Sequence, residues 1–523
     1  MSTSTTPSTL GDAGTEGAGP AMDEPVRPDG RLTAAVLALA RFEARELLHH
    51  IPVFVFLSLY IGFTGWQLFA GDAAGDHPVL QDIDRGTQAG PLLLAIALLV
   101  CVNRTVLRSR RNGTDGHFDV LVMEPWRRTL AHALSVVPYA VVTALVVAFE
   151  FTWAALKPGA VGHGSVAELA VGPLMVLLAG IVGVLLARLI PSSLAGPLLV
   201  VGAFFFAVLV AAGTNDAHWQ KWLWPVVSET GAPPLPSDLL GRPAAWHALY
   251  LVGLVGLLLG AAVLLSGGRA RRVKALTVLA LAVTVAGAAG QSPGDSAALA
   301  KARTTASRTP EKVQSCVPHG RSTYCAFPEW SGRRADWAEV VERVQSLAGG
   351  AAGGERLTVR QRVADISDLT SDAALDPART PRQVTVGTEW GGNQPQKFAV
   401  AVASVLVAGN ENATVEMCDA RVVTIMWLAL GTESDPVTAL GDVRLDDSVE
   451  GSALALTPTD GLSMTRGQTT VVRELFERPR YGVTARVKTH WTELTSPKTS
   501  LTRAAELLGV AAPKGTGDEC ADE

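Results

Sequence analysis

Residues 51–290 hold seven long apolar runs, each near the roughly 20 residues an α-helix needs to cross a lipid hydrocarbon layer. They cover about 51–70, 88–107, 131–154, 168–188, 194–213, 246–266 and 274–290, and consist mainly of Leu, Val, Ala, Ile, Phe and Gly. The seventh is the shortest and richest in Ala. The two runs flanking Pro191-Ser192-Ser193 are together too long for one crossing, so a tight reversal is expected there. The fold class that follows is an all-α polytopic membrane bundle, six core helices plus a seventh, succeeded by a mixed α/β soluble domain.

The charges orient this bundle. Basic residues concentrate before the first run (Arg31, Arg41, Arg45), between the second and third (Arg104, Arg108, Arg110, Arg111, Arg127, Arg128), at the turn after the fourth (Arg188) and between the sixth and seventh (Arg269, Arg271, Arg272, Lys274). The alternate connections carry Asp72, Asp76, Asp82, Asp84, Asp216, Glu229 and Asp238 with few cations. Arginine-bearing connections stay in the cytosol. They share one face only if the N-terminus is cytoplasmic and the number of crossings is odd, which puts the C-terminal domain outside.

Only 18% of the 523 residues are charged, against roughly a quarter in soluble proteins, and mean hydropathy is +0.26. The deficit lies wholly within 51–290. The net charge of −5 therefore averages unlike regions and indicates no partner, nucleic acid included. Arg outnumbers Lys, and Ala and Gly abound, as in GC-rich bacterial genomes. Residues 1–30 have almost nothing to bury and read as a disordered tail. No apolar core follows a basic start there, so the tail is no secretory signal.

Cys101 falls in the second run and is expected to be a reduced, buried thiol. Cys316, Cys325, Cys418 and Cys520 all lie in the external domain, an even number in a disulfide-permitting compartment. Of three pairings, Cys316–Cys325 with Cys418–Cys520 is favoured because the first closes a short loop; four free buried thiols are the competing reading.

Ahead of the first run, residues 31–48 place Leu32, Val36, Leu39, Phe42 and Leu47 near one helical stripe, with Arg41, Glu43, Arg45 and Glu46 at the C-terminal end. This is the pattern of an amphipathic helix lying at the cytoplasmic interface (31–50). The alternative is a plain extension of the first span. His49, His50 and Pro52 break the two apart. The connection 103–130 has a Gly113-Thr114-Asp115-Gly116 turn, a short helical run from His117 to Met123, and a stop at Pro125. It suits a docking surface for a soluble partner, offered by Arg108, Arg110, Arg111, Asp115, His117, Asp119, Glu124, Arg127 and Arg128. Asp115, His117 and Asp119 alternate but do not share one helical face, so no metal is assigned.

An amphipathic helix leading into the first span, a basic loop with a short helix between spans two and three, and six core spans resemble the permease subunits of bacterial ABC exporters. The segment from Arg108 through Gly113-Thr114, Leu121, Pro125 and Arg127-Arg128-Thr129 is similar to the cytosolic coupling segment of that family. The resemblance covers residues 31–290, and the external domain with Cys316 and Cys325 resembles one found in a subset of such permeases. It implies the passive half of a transporter. The chain has no G-x-x-x-x-G-K-[ST] phosphate loop, so ATP and magnesium would sit on a separate cytoplasmic ATPase subunit docked on residues 108–128 and 31–48. A second permease chain, identical or related, would complete the path for a substrate the sequence does not name.

Glu150 is the acidic residue well inside an apolar run, placing it either in a pathway or at the outer interface. Trp219, Trp222 and Trp224 cluster before Pro225, as a gate or, preferably, as interfacial anchors. Beyond a polar linker at 291–312, the domain 313–523 has helical spacing at Trp337, Val340, Val341, Val344 and Leu347 and strand-like alternation at Leu357, Val359, Gln361 and Val363. Further helices are expected at 396–408, 414–430 and 500–508, the last ended by Gly509. There is no H-E-x-x-H and no G-x-S-x-G. His319 beside Cys316 and Cys325 lacks the spacing of a zinc set. A membrane-anchored sensor or scaffold with an external ligand-binding domain is the competing function; a membrane enzyme lacks an acid/base cluster.

Overall fold

The computed structural model describes residues 28–69, 78–114, 123–212, 223–225, 235–241, 243–293, 296–364, 375–388 and 395–512. The first helix, α1 (Pro28–His49), ends where the sequence breaks. His49 Nδ1 lies 2.7 Å from the Arg45 carbonyl, occupying one of the last acceptors. Pro52, which has no N–H to offer, sits in the first turn of α2 (Ile51–Phe69), where none is needed. The buried face of α1 is Val36, Ala40, Glu43 and Leu47. Phe42 points away from it, so the stripe is rotated from the one read in the sequence. The small Ala40 lets α1 pack against Ala131 on a later helix, an approach Phe42 would block.

The bundle continues through a short α3 (Leu80–Gly86), then α4 (Leu92–Val106), α5 (Arg108–Arg111), α6 (Pro125–Leu134), α7 (Val137–Ala155), α8 (Val166–Leu189), α9 (Ala195–Ala212), α10 (Ala244–Leu265) and α11 (Arg271–Gln291). α6 and α7 form one run of 31 residues whose regular helix is interrupted at Ser135–Val136, just before Pro138, which has no N–H to donate to the ladder. Among the described residues five helices are long and apolar enough to cross a membrane: Ile51–Phe69, Pro125–Ala155, Val166–Leu189, Ala244–Leu265 and Arg271–Gln291. Leu92–Val106 and Ala195–Val208 are apolar but shorter.

α4 is the centre of the bundle. Leu94, Leu98, Cys101 and Val102 are buried against Val53, Tyr139, Met175 and Val184. Gly183 lets α8 approach closely, since a Cβ there would stand 2.5 Å from the Leu99 carbonyl oxygen. The α10–α11 pair approaches as closely, at two points. A Cβ on Gly253 would lie 2.5 Å from the Thr284 nitrogen, and one on Gly287 2.5 Å from the Tyr250 nitrogen. Small residues thus bring two backbones together, and α11 is otherwise little buried.

The C-terminal domain begins earlier than its composition suggests. Residues 297–308, read as part of a polar linker, form helix α12 (Ala297–Arg308), capped by the Ser296 hydroxyl accepting from Leu299 N at 3.1 Å. Ala306 is buried, and Arg303 Nε donates to the Leu239 carbonyl at 2.8 Å. A four-stranded sheet follows in the order β1 (Ser315–His319), β2 (Ser322–Ala326), β3 (Thr358–Gln361), β4 (Gln383–Val386). β1 and β2 form an antiparallel hairpin, turned at Gly320 with φ +57°; the other pairs are parallel. Cys316 and Cys325 face each other in register and are disulfide-bonded. Cys418 is disulfide-bonded as well, while Cys520 lies outside the described residues.

Helices α13 (Arg334–Leu347) and α14 (Pro395–Ala408) pack on this sheet and α15 (Arg421–Leu430) packs on α14, with a β5–β6 hairpin (Ala453–Leu456, Gly461–Met464) and α16 (Arg466–Phe476), α17 (Arg480–Thr489) and α18 (Leu501–Leu508) beyond. All five residues read at helical spacing, Trp337 to Leu347, are buried. α15 starts at Arg421 rather than 414, because Asn412–Thr414 is a separate 3-10 turn. Gly509 takes the left-handed conformation that ends α18. Val79, Val161, Leu235 and Leu239 from the bundle's connections belong to this domain's core. The bundle's connections thus pack into this domain's core, while the bundle helices keep core clusters of their own.

Candidate coupling site at the arginine-rich end

α4 cannot run on past Val106 without carrying Arg108, Arg110 and Arg111 along its axis; the chain instead turns at Leu107 into the single turn of α5. Gly113, at φ +65°, then reverses it. The chain returns at Glu124, and Pro125 opens α6 at a position where its missing N–H costs nothing. Arg108 reaches back to α1, placing NH2 3.0 Å from Glu43 Oε1 and NH1 3.6 Å from Glu46 Oε2. Burial pushes the Glu43 carboxyl above the ordinary carboxylate range, and the Arg108 guanidinium pulls against that shift. A second tie runs from the Tyr139 hydroxyl to the Ala44 carbonyl at 2.7 Å. α1, the α4–α5 corner and α7 are thus joined by polar contacts as well as packing.

Beside these ties lies a cavity of about 430 Å³, lined by Glu43, Arg108, Arg110, Arg128, His132 and Arg188 among others. On the α6 side Glu124 accepts from Arg127 Nε at 3.0 Å and from Trp126 Nε1 at 2.8 Å, and the Arg127 guanidinium stands 4.9 Å from the Trp126 ring centroid. Arg41, Arg45 and Arg111 are exposed and do not line the cavity. Asp115, His117 and Asp119 lie outside the described residues, as does the helix expected there. Among the described residues no group of three His, Cys, Asp or Glu is placed to hold a metal. Among the described residues the arrangement offers a charged, arginine-rich cavity beside the helix corner.

The remaining expected residues are scattered. Glu150 is half-buried on α7, about one turn from its end, near the buried Tyr60. One turn on, Trp153 packs edge-on to Phe69 at 5.2 Å. Trp224 lies half-buried against Phe206, ring centroids 5.7 Å apart. Trp219 and Trp222 lie outside the described residues.

Sequence reading missed the junction at the opposite end. Glu329, in the turn before α13, accepts from Gln81 Nε2 at 3.3 Å and from the Ser237 amide at 3.1 Å, and lies 3.4 Å from His163 Nδ1. One carboxylate of the C-terminal domain thus holds three connections of the bundle. Nearby, buried Asp84 accepts from the Ser165 amide at 2.7 Å, and Gln88 donates to Glu168. The sequence signal was the acidic character of these connections, which topology arguments count only as a lack of cations. Comparison of the chain with known protein families, curated proteins and solved structures gave no match in any of the three.

Proposed function

We propose that this chain is the permease half of an ABC-type exporter, a multi-pass bacterial cell-membrane protein with seven crossings, a cytoplasmic N-terminus and an external C-terminal domain. The observation that carries the reading is the tie from Arg108 to Glu43 and Glu46, which joins an interfacial helix to the corner between the second and third spans. A cytoplasmic ATPase subunit docking on residues 108–128 would move that corner. Because α1 and α7 are fastened to it, they would move with it, and the bundle would shift between inward- and outward-open states according to which one the docked subunit binds better. ATP and magnesium belong to that subunit, and a second permease chain completes the path.

The connections packed into the domain's core and the Glu329 junction favour a second reading, in which the external domain senses a ligand and transmits its state through the bundle. Co-purification separates the two. The exporter reading requires a membrane-span-free P-loop ATPase that binds the chain and whose ATP turnover changes on binding. If that turnover is indifferent to deleting residues 113–125, the exporter mechanism is lost.

A further inference from the structure

The C-terminal domain has a cleft of about 390 Å³ at the tip of the β1–β2 hairpin, between that tip and α13. Its floor is buried and polar: Ser322, Tyr324 and Gln345, beside Val341. These groups are held in place. The Ser322 hydroxyl accepts from Leu357 N at 3.1 Å, and Gln345 donates to the Glu355 carbonyl at 2.9 Å. The rim carries charges of both signs, Arg321 and Glu342, with His319 edge-on to Tyr324 at 6.3 Å.

Two glycines set where the charged ends lie. A Cβ on Gly354 would stand 2.7 Å from an Arg321 terminal nitrogen, and one on Gly320 would stand 3.0 Å from a Glu342 carboxylate oxygen. Each charged end therefore rests on its own bare stretch of backbone. Among the described residues neither Arg321 nor Glu342 forms an ion pair, although both line one cleft. An exposed pair at such a rim would gain little by closing on itself. A ligand carrying both charges gains more, because it meets the guanidinium and the carboxylate over a floor already shaped for polar groups.

We propose that this cleft binds a small zwitterion, a free amino acid or a short peptide, with Arg321 holding its carboxylate and Glu342 its ammonium group. The site stands apart from the transport reading, because binding needs no partner subunit. The test is calorimetric titration of the full chain in lipid nanodiscs with L-alanyl-L-alanine and the twenty free amino acids, then with N-acetylated and C-amidated forms of any that bind. Saturable binding is expected, weakened about tenfold or more by Arg321→Gln and by Glu342→Gln, the usual worth of a hydrogen bond to a charged group. Amidation should erase the Arg321→Gln penalty, and acetylation the Glu342→Gln penalty. Both side chains are exposed, so the variants should melt with the wild type, which the same samples will check. The proposal is overturned if no probe binds below about 10 mM, or if binding survives both substitutions within about twofold.

Discussion

Arg108 lies 3.0 Å from Glu43, across the boundary between the helix that precedes the first span and the corner that follows the second. The two ends of this contact differ in exposure, 45% for the guanidinium side chain and 4% for the carboxylate side chain. A buried acid with a half-exposed partner is held above its ordinary titration range, which makes the contact sensitive to pH.

The sign follows from burial. The folded chain binds the Glu43 proton more tightly than the unfolded chain does, so the stabilisation is full below the ordinary value of 4.5 and is lost as pH rises through the folded value. Glu43→Gln cannot titrate. Its melting temperature in detergent should gain on wild type as pH rises from about 4.5. Arg108→Gln should destabilise at neutral pH by about 1 kcal/mol, a figure discounted for the exposed guanidinium. The double variant should lie close to Glu43→Gln alone, apart from the small worth of the exposed Arg108–Glu46 pair. Wild type and Glu43→Gln melting in parallel at every pH would refute this coupling.

Gly287 and Gly253 decide whether the last helix of the bundle stays attached. Gly287→Val places carbon within 2.5 Å of the Tyr250 amide, so α10 and α11 must separate. Overpacking of this kind costs about 1–3 kcal/mol. Cysteines placed at facing positions on α10 and α11 should cross-link in the parent and fail to do so in Gly287→Val. Gly62→Ala, where the added Cβ meets nothing within 4 Å, serves as the control and should leave cross-linking unchanged.

Glu329 is the corresponding fastening between the two bodies. Glu329→Ala removes acceptors for Gln81 and the Ser237 amide while leaving the core around Trp330 intact. Hydrogen exchange should rise in residues 80–86 and 235–240, with residues 334–347 unchanged. Equal exchange in both variants would mean that the packing of the connections into the core alone holds the bodies together.

What the sequence made legible is set by short-range physics. The break at His49-His50-Pro52, the helix around Trp337 and the stop at Gly509 all depend on residues within one or two turns. The face of α1 was misjudged because hydrophobicity ranks Phe42 above Ala40, whereas tight packing on Ala131 favours the smaller side chain. Residues 297–308 looked like linker because their helix buries little besides Ala306; its stabilising contact, Arg303 to Leu239, spans 64 residues. Glu329 could not be found at all. Its partners come from three separate connections, and no local pattern marks a carboxylate that will meet them.

The orientation of the chain rests on parity. With the five long apolar helices crossing among the described residues, or seven with Leu92–Val106 and Ala195–Val208 added, the proposed orientation would put the two termini on opposite faces. The Cys316–Cys325 bond then belongs in an oxidising compartment. Alkaline phosphatase fused after Gly509 should be active in a bacterial host and a green fluorescent fusion there dark, with the reverse at residue 112 between the second and third spans. Closing so short a loop in the unfolded chain is worth about 2–3 kcal/mol. Cys316→Ser with Cys325→Ser should therefore lower the melting point of the C-terminal domain, and a reductant should lower it further in the parent than in that variant, which keeps the disulfide of Cys418. A fluorescent fusion after Gly509 would place the domain in the cytosol, and the arginine-rich end, with the partner proposed for it, would then face the wrong side of the membrane.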